Sequence, residues 1–141
     1  MASTTGKTPR KTTKTSTPAK PRTKAGAATG AMLDELAERL RESILPGDTP
    51  LPAERAREAA AFLLETATTR TADDAGIALQ SASEERRYMR IALVNRDMPF
   101  LVDSVAATIA AHGLAIDRLI HPVVPIERSA AGALTAIPST D

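Results

Sequence analysis

The feature that most constrains the fold is a change of pattern that begins at residue 86. The aliphatic run Ile91-Ala92-Leu93-Val94 follows Tyr88 and Met89 and predicts a largely buried strand. This run ends in the polar sequence Asn-Arg-Asp-Met-Pro. Apolar residues then recur at helical spacing: Leu101, Val102, Val105 and Ile109. A strand therefore passes directly into a helix through residues 95–100.

The start and the end of this helix have recognisable signals. Asp97 can cap it by accepting the Phe100 amide hydrogen, and Pro99 fits a first turn. His112 and Gly113 give a basic last turn and a stop. These signals do not explain why a large apolar residue, Phe100, lies at the N-terminal end of the helix.

Two further strands are predicted after Gly113. Residues 116–126 are rich in Ile, Val and Leu and predict a long strand, residues 129–132 supply a turn, and residues 133–137 return as the partner. Pro122 and Pro125 lack an amide hydrogen, so the second half of the long strand should be bent or at an edge. A right-handed crossover would place the first two strands parallel in one sheet.

The segment before the first strand predicts two helices and a linker. Apolar residues of 31–45 line one helical face, and Glu35 can pair with Arg39 one turn later. Residues 53–70 predict a second, Ala-rich helix, with Pro52 suited to its first turn. A hairpin with so few large side chains must pack on something else. The polar residues 71–85 read as a linker.

The first thirty residues cannot contribute to a core. They hold five Lys, two Arg and nine Thr, with no Asp, Glu, Leu, Ile, Val or Phe. The formal net charge of +1 is therefore the sum of +7 in residues 1–30 and −6 in residues 31–141. Nucleic-acid binding and organelle import are two functional interpretations of such a segment, but it lacks aromatic residues and amphipathic periodicity. A disordered, solvated extension is the favoured interpretation.

Together these patterns predict an α+β chain: a disordered basic tail, a helical hairpin, then a partial ferredoxin-like β-α-β-β unit. The expected domains are residues 1–30, 31–85 and 86–141. Because the last helix and strand of a ferredoxin-like domain are missing, we expect the sequence to be a fragment of something longer.

No group of residues in the sequence has the spacing of a catalytic or metal site. The chain has no Cys and two His, nine residues apart, for which we expect structural roles, and its adjacent Asp73-Asp74 and Glu84-Glu85 point apart. It has no dinucleotide-binding glycine motif, no phosphate loop and no nucleophile-base pair. We therefore expect no catalytic residue and no metal site.

Residues 86–137 resemble the N-terminal part of the very large bacterial NAD-specific glutamate dehydrogenases, whose first regulatory module looks like an ACT domain. The resemblance is carried by "NRDMPFLVDSV", by "HGL" with the following Ile116, by "IHPVV", and by Arg128 with its Ala-Gly-Ala-Leu hairpin. ACT domains generally carry an Asp-x-Pro-Gly-like turn after the first strand, at which small amino acids bind in a dimer interface. Asp97-Met98-Pro99 is similar, and Phe100 stands where that Gly would be.

The resemblance implies the N-terminal regulatory or assembly portion of an enzyme that converts glutamate, NAD⁺ and water to 2-oxoglutarate, ammonia and NADH. The NAD site and the catalytic Lys and Asp would then lie outside these residues. The expected partners are the other domains of the same long chain, further copies in a homo-oligomer and a small amino-acid effector. We expect a cytoplasmic protein without membrane or nucleic-acid contacts. The candidate effector or domain-interface residues are Asn95, Asp97, Met98, Pro99, Phe100 and Leu101.

Two alternative functions stay open at this point. A free-standing amino-acid-sensing module of ACT type would have the same fold. A nucleic-acid-associated protein would use the basic tail.

Overall fold

The computed structural model describes residues 24–70, 73–83 and 87–139. In chain order the elements are α1 (Lys24–Glu42), α2 (Ala53–Thr69), β1 (Gly76–Ser83), β2 (Arg87–Val94), α3 (Leu101–Ala111), β3 (Glu127–Arg128) and β4 (Leu134–Ala136). The predicted α+β class is confirmed, and from residue 87 onward the elements are a strand, a helix and two short strands. Most of the predicted tail, residues 1–23, lies outside the described residues.

The core forms between the α1–α2 hairpin and the C-terminal segment. Its buried members are Leu36, Leu40, Ala60, Leu64 and Ile137, with Ile120, Val124 and Leu134 among the side chains packed around them. The expectation that the Ala-rich hairpin must pack on another part of the chain is therefore confirmed. The predicted ion pair also forms, with Arg39 Nε 2.9 Å from Glu35 Oε1. α1 begins at Lys24, earlier than the apolar pattern predicts, in a run that Ala makes favourable for a helix.

Two arginines attach the C-terminal segment to the helices. Arg128 donates to the Gly132 carbonyl at 2.8 Å and to the Ala67 carbonyl at 3.1 Å. Arg39 also donates to the Pro138 carbonyl at 3.4 Å. Ala67 lies in the last turn of α2, which has no basic residue of its own, so Arg128 supplies the positive charge that stabilises unpaired helix-end carbonyls.

The predicted linker is wrong over residues 76–83, which form β1. β1 pairs antiparallel with β2, placing Ile77 opposite Leu93 and Leu79 opposite Ile91. Gly76 allows the strand to start close to α2, because a Cβ atom there would lie 3.1 Å from the Thr66 carbonyl oxygen. In this stretch apolar residues alternate with smaller or polar ones, and backbone hydrogen bonds to β2 stabilise it as a strand.

The predicted strand over residues 116–126 is also wrong. No regular strand forms there, and β3 comprises only Glu127 and Arg128, paired antiparallel with β4. Pro122 and Pro125 each remove a ladder donor, which leaves this stretch irregular. The expected parallel pairing of the first two strands does not occur either, because the described residues form two separate antiparallel sheets, β1–β2 and β3–β4.

Candidate functional site

The candidate site is the strand–helix turn, residues 95–101, between β2 and α3. Asn95 is half-buried and its Nδ2 donates to Met98 Sδ at 3.3 Å. Asp97, Met98, Pro99 and Phe100 are exposed, and Leu101, the first residue of α3, is half-buried. The structure therefore brings all the predicted site residues together in one surface turn.

Phe100 has an unusual backbone conformation and an unusual exposure. Its φ of 64° lies in the left-handed region, and no other non-glycine residue in the described ranges has a positive φ. The side chain is 77% exposed. A left-handed conformation costs an L-residue roughly 1–2 kcal/mol, which is why glycine normally occupies such positions. Such a conformation is typical of glycine, and here the residue that adopts it is a phenylalanine.

The predicted cap by Asp97 is wrong. Phe100 itself occupies the N-cap position of α3, and no side chain caps the helix. The first helical bond runs from the Ser104 amide to the Phe100 carbonyl at 2.9 Å. The N-cap of α3, Phe100, lies three residues after Asp97, and the Asp97 side chain makes no capping hydrogen bond.

The other end of α3 agrees with the sequence prediction. His112 is the C-cap and its Nδ1 lies 2.8 Å from the Thr108 carbonyl oxygen. Gly113, with φ of 71°, lets its amide bond to the Ala110 carbonyl while the Leu114 amide bonds to the Ile109 carbonyl. This Schellman arrangement stops the helix, and it gives His112 a structural role.

Charges around the turn are mainly acidic. Arg96 forms an exposed ion pair with Asp73, with Nη2 3.5 Å from Oδ1. Asp97 and Asp103, the latter in the first turn of α3, are also exposed. Exposed pairs such as Arg96 with Asp73 contribute at most about 1 kcal/mol. Two exposed carboxylates therefore lie in this region, and that of Asp103 is in the first turn of α3, at the positive end of the helix dipole.

The rest of the described surface has little that suggests chemistry. An open cavity of about 390 Å³ lies between α2 and β1, away from the turn, and is lined by Phe62, Glu65, Thr66, Ala78, Leu79 and Gln80. Within the described ranges, no group of three or more His, Cys, Asp or Glu side chains could hold a metal ion. In the same ranges no helix is long and apolar enough to cross a membrane.

The fold and the turn define an ACT-like module, a small α+β unit in which an exposed turn joins a strand to a helix. The family model of the glutamate dehydrogenase ACT1 domain matches residues 49–141, which is more than half of the chain. The chain therefore belongs to the glutamate dehydrogenase ACT1 domain family, and the resemblance stated from the sequence is confirmed. None of the curated proteins and none of the solved structures matches the chain.

Two features of the site region could not be found from the motifs alone. The strain at Phe100 had one signal, the occupation of a glycine position by Phe. The exposed side chains of Ile77 and Leu79 on β1 were missed because residues 76–83 were interpreted as a linker, although these two residues alternate with smaller or polar ones.

Proposed function

We propose that this chain is the N-terminal regulatory and assembly portion of an NAD-dependent glutamate dehydrogenase. That enzyme would convert glutamate, NAD⁺ and water to 2-oxoglutarate, ammonia and NADH in the cytoplasm. The observation that carries the proposal is the match of residues 49–141 to the glutamate dehydrogenase ACT1 domain. NAD and the reacting groups would be held by other domains of the same enzyme, so this portion would act on the catalytic part without touching substrate.

Within this function, the strand–helix turn would serve as a contact between domains or subunits. Phe100 combines backbone strain with 77% exposure, and neither stabilises the isolated fold. Strained residues persist where the strain serves a function, and exposed aromatic side chains are common anchors of interfaces. Met98, half exposed beside Phe100, adds a flexible apolar side chain to the same surface.

The charges of the turn favour an interface over a binding site for an amino-acid effector. An effector would place its carboxylate at the free amides of the first turn of α3. Asp97 and Asp103 are exposed at that end of the helix and would repel this carboxylate. An apolar pocket on a neighbouring domain would instead accept Phe100 without meeting a like charge.

The interface role predicts a measurable loss of assembly. Full burial of a Phe side chain contributes about 1.5–3 kcal/mol, so Phe100→Ala should weaken a homo-oligomeric or interdomain contact by roughly 10-fold or more. The matched control is Leu114→Ala, because Leu114 is 60% exposed at the opposite end of α3. In sedimentation velocity of the full-length enzyme, Phe100→Ala should dissociate, whereas Leu114→Ala should sediment as the wild type does. Equal sedimentation of both variants would refute the anchor.

The assignment to an enzyme is tested separately by assaying the full-length protein. Glutamate-dependent reduction of NAD, followed at 340 nm and compared with reduction of NADP, should favour NAD. An absence of glutamate oxidation in a correctly assembled protein would contradict the proposed function.

A further inference from the structure

The three methionines that the structure describes have different surroundings. Met32 packs partly buried against the core, Met89 is 60% exposed on β2, and Met98 is 50% exposed in the strand–helix turn. Among these three, only the sulfur of Met98 accepts a hydrogen bond, which Asn95 Nδ2 donates at 3.3 Å. Met98 and Met89 therefore form a matched pair, similar in exposure and different in the group beside the sulfur.

The bond between Asn95 and Met98 joins a good donor to a weak acceptor. A thioether sulfur accepts hydrogen bonds weakly, whereas a side-chain amide donates through two hydrogens. Oxidation of the sulfur to a sulfoxide makes the side chain polar and adds an oxygen, which is a better acceptor. Because the donor already lies beside the sulfur, it interacts more strongly with the oxidised side chain than with the reduced one. A group that stabilises the transition state more than the starting state accelerates the reaction.

We propose that Met98 is a modification site, oxidised to methionine sulfoxide by hydrogen peroxide with the Asn95 amide as the assisting donor. The sulfur lone pair attacks one peroxide oxygen, and the S–O bond forms as the O–O bond breaks. The transferred oxygen gives its proton to the departing hydroxide, which leaves as water. The sulfur loses two electrons, and the peroxide gains them. The Asn95 amide donates to the transferred oxygen while negative charge develops on it.

Oxidation of Met98 changes the surface beside Phe100 from apolar to polar. A sulfoxide that enters an apolar pocket loses its hydrogen bonds to water, and burying such a group without a partner is unfavourable. At the contact proposed above for the strand–helix turn, oxidation of Met98 therefore weakens the association. This consequence rests on the proposed function, whereas the oxidation step itself concerns the chain alone.

The oxidation step is tested by the rates at which the methionines of one molecule react with hydrogen peroxide. Trypsin places Met32, Met89 and Met98 on separate peptides, residues 25–39, 88–90 and 97–118, so mass spectrometry follows each sulfur independently. Exposure alone predicts similar rates for Met89 and Met98. With the assisting donor, Met98 should react roughly threefold faster or more, a modest factor because water competes at an exposed turn. Met89 in the same sample is the control.

Removal of the donor decides whether Asn95 causes the difference. Asn95→Leu keeps the shape of the side chain without its amide, and it should bring the rate of Met98 down to that of Met89. If circular dichroism shows that Asn95→Leu unfolds the chain, Asn95→Asp decides instead, because an ionised carboxylate accepts hydrogen bonds and donates none. A parent chain in which Met98 reacts no faster than Met89 would overturn the proposal. So would a Met98 rate that stays unchanged or rises when the amide is removed.

The consequence for assembly is tested in the full-length enzyme with two substitutions of Met98. Met98→Gln introduces a polar group in place of the thioether, as the sulfoxide does, and Met98→Leu keeps the side chain apolar. In sedimentation velocity, Met98→Gln should dissociate at a concentration roughly threefold higher or more than Met98→Leu does. Equal sedimentation of the two variants would refute this consequence. If Phe100→Ala also sediments as the wild type does, the proposed contact itself fails, and the oxidation rates still decide the modification site.

Discussion

Replacing Phe100 by glycine and, in parallel, by alanine separates the backbone strain of the turn from the contribution of the ring. Both changes remove the side chain, whose 77% exposure means that little burial is lost. Only glycine also removes the steric cost of a φ of 64°. A comparison of the two variants therefore isolates the strain.

The expected difference follows from two opposing terms. Relief of a left-handed conformation stabilises the turn by roughly 1–2 kcal/mol. The greater freedom of glycine in the unfolded chain offsets roughly 0.5–1 kcal/mol of this. The glycine variant should thus hold the turn and the first part of α3 more firmly than the alanine variant by about 0.5–1 kcal/mol, which is roughly a two- to fivefold difference in the opening equilibrium.

Amide hydrogen exchange along α3 measures this opening directly, because local protection reports local stability. Amides from Val105 to Ala111 should exchange roughly two- to fivefold more slowly in Phe100→Gly than in Phe100→Ala. Ala107→Gly is the control, since glycine inside a helix with ordinary φ should speed exchange by removing about 1 kcal/mol. Exchange in Phe100→Ala as slow as in Phe100→Gly would show that the turn stores no strain.

Three further changes test the packing of the rest of the fold. Leu40→Ala should destabilise the chain to urea by about 2–5 kcal/mol through a core cavity, whereas Leu45→Ala, at a 54% exposed site, should change the unfolding free energy little. Arg128→Met should cost about 1–2 kcal/mol in the same assay, because two charged hydrogen bonds to carbonyls are lost; unchanged urea unfolding would contradict that role. Gly76→Ala should lower the melting temperature, since the new Cβ would crowd the Thr66 carbonyl at 3.1 Å, and an unchanged melt would show that β1 can shift away from α2.

The helices were predictable from the sequence because each has its own periodic pattern and end signals. Glu35 and Arg39 are neighbours on one helix face, and their pairing depends only on local spacing. Gly113 stops α3 by a conformation that glycine adopts at no steric cost. Such features depend on residues within one or two turns and need no knowledge of the tertiary structure.

The strands were harder because their pairing depends on distant residues. β1 exists through its hydrogen bonds to β2, and its sequence alone, with Gln80 and Ser81, looked like a linker. Residues 116–126 have the composition of a strand, but Pro122 and Pro125 cannot donate to a neighbour. Composition thus predicted a strand over residues 116–126 that does not form and missed β1. The sequence of one segment does not specify which strand it pairs with or in which register.

The site residues were predicted as a group, but their geometry was not. The resemblance located residues 95–101, and the structure places them in one exposed turn. The expected Asp97 cap required ordinary helix-start geometry, and the left-handed Phe100 replaced it. The left-handed conformation of Phe100 could not be predicted from its sequence, because a phenylalanine strongly prefers a negative φ.

The most direct test of the central claim is steady-state glutamate oxidation by the full-length enzyme with wild-type Phe100 or with Phe100→Ala. NAD and glutamate are held at saturation, and candidate amino acids are added at increasing concentration. If this chain is the regulatory and assembly portion, turnover of the assembled variant stays close to wild type, because no reacting group is near the turn. The response to amino acids or the stability of the oligomer then changes several-fold, while Leu114→Ala behaves as wild type. Unchanged effector response together with unchanged assembly in Phe100→Ala would contradict the account, and so would a collapse of turnover in a correctly assembled variant.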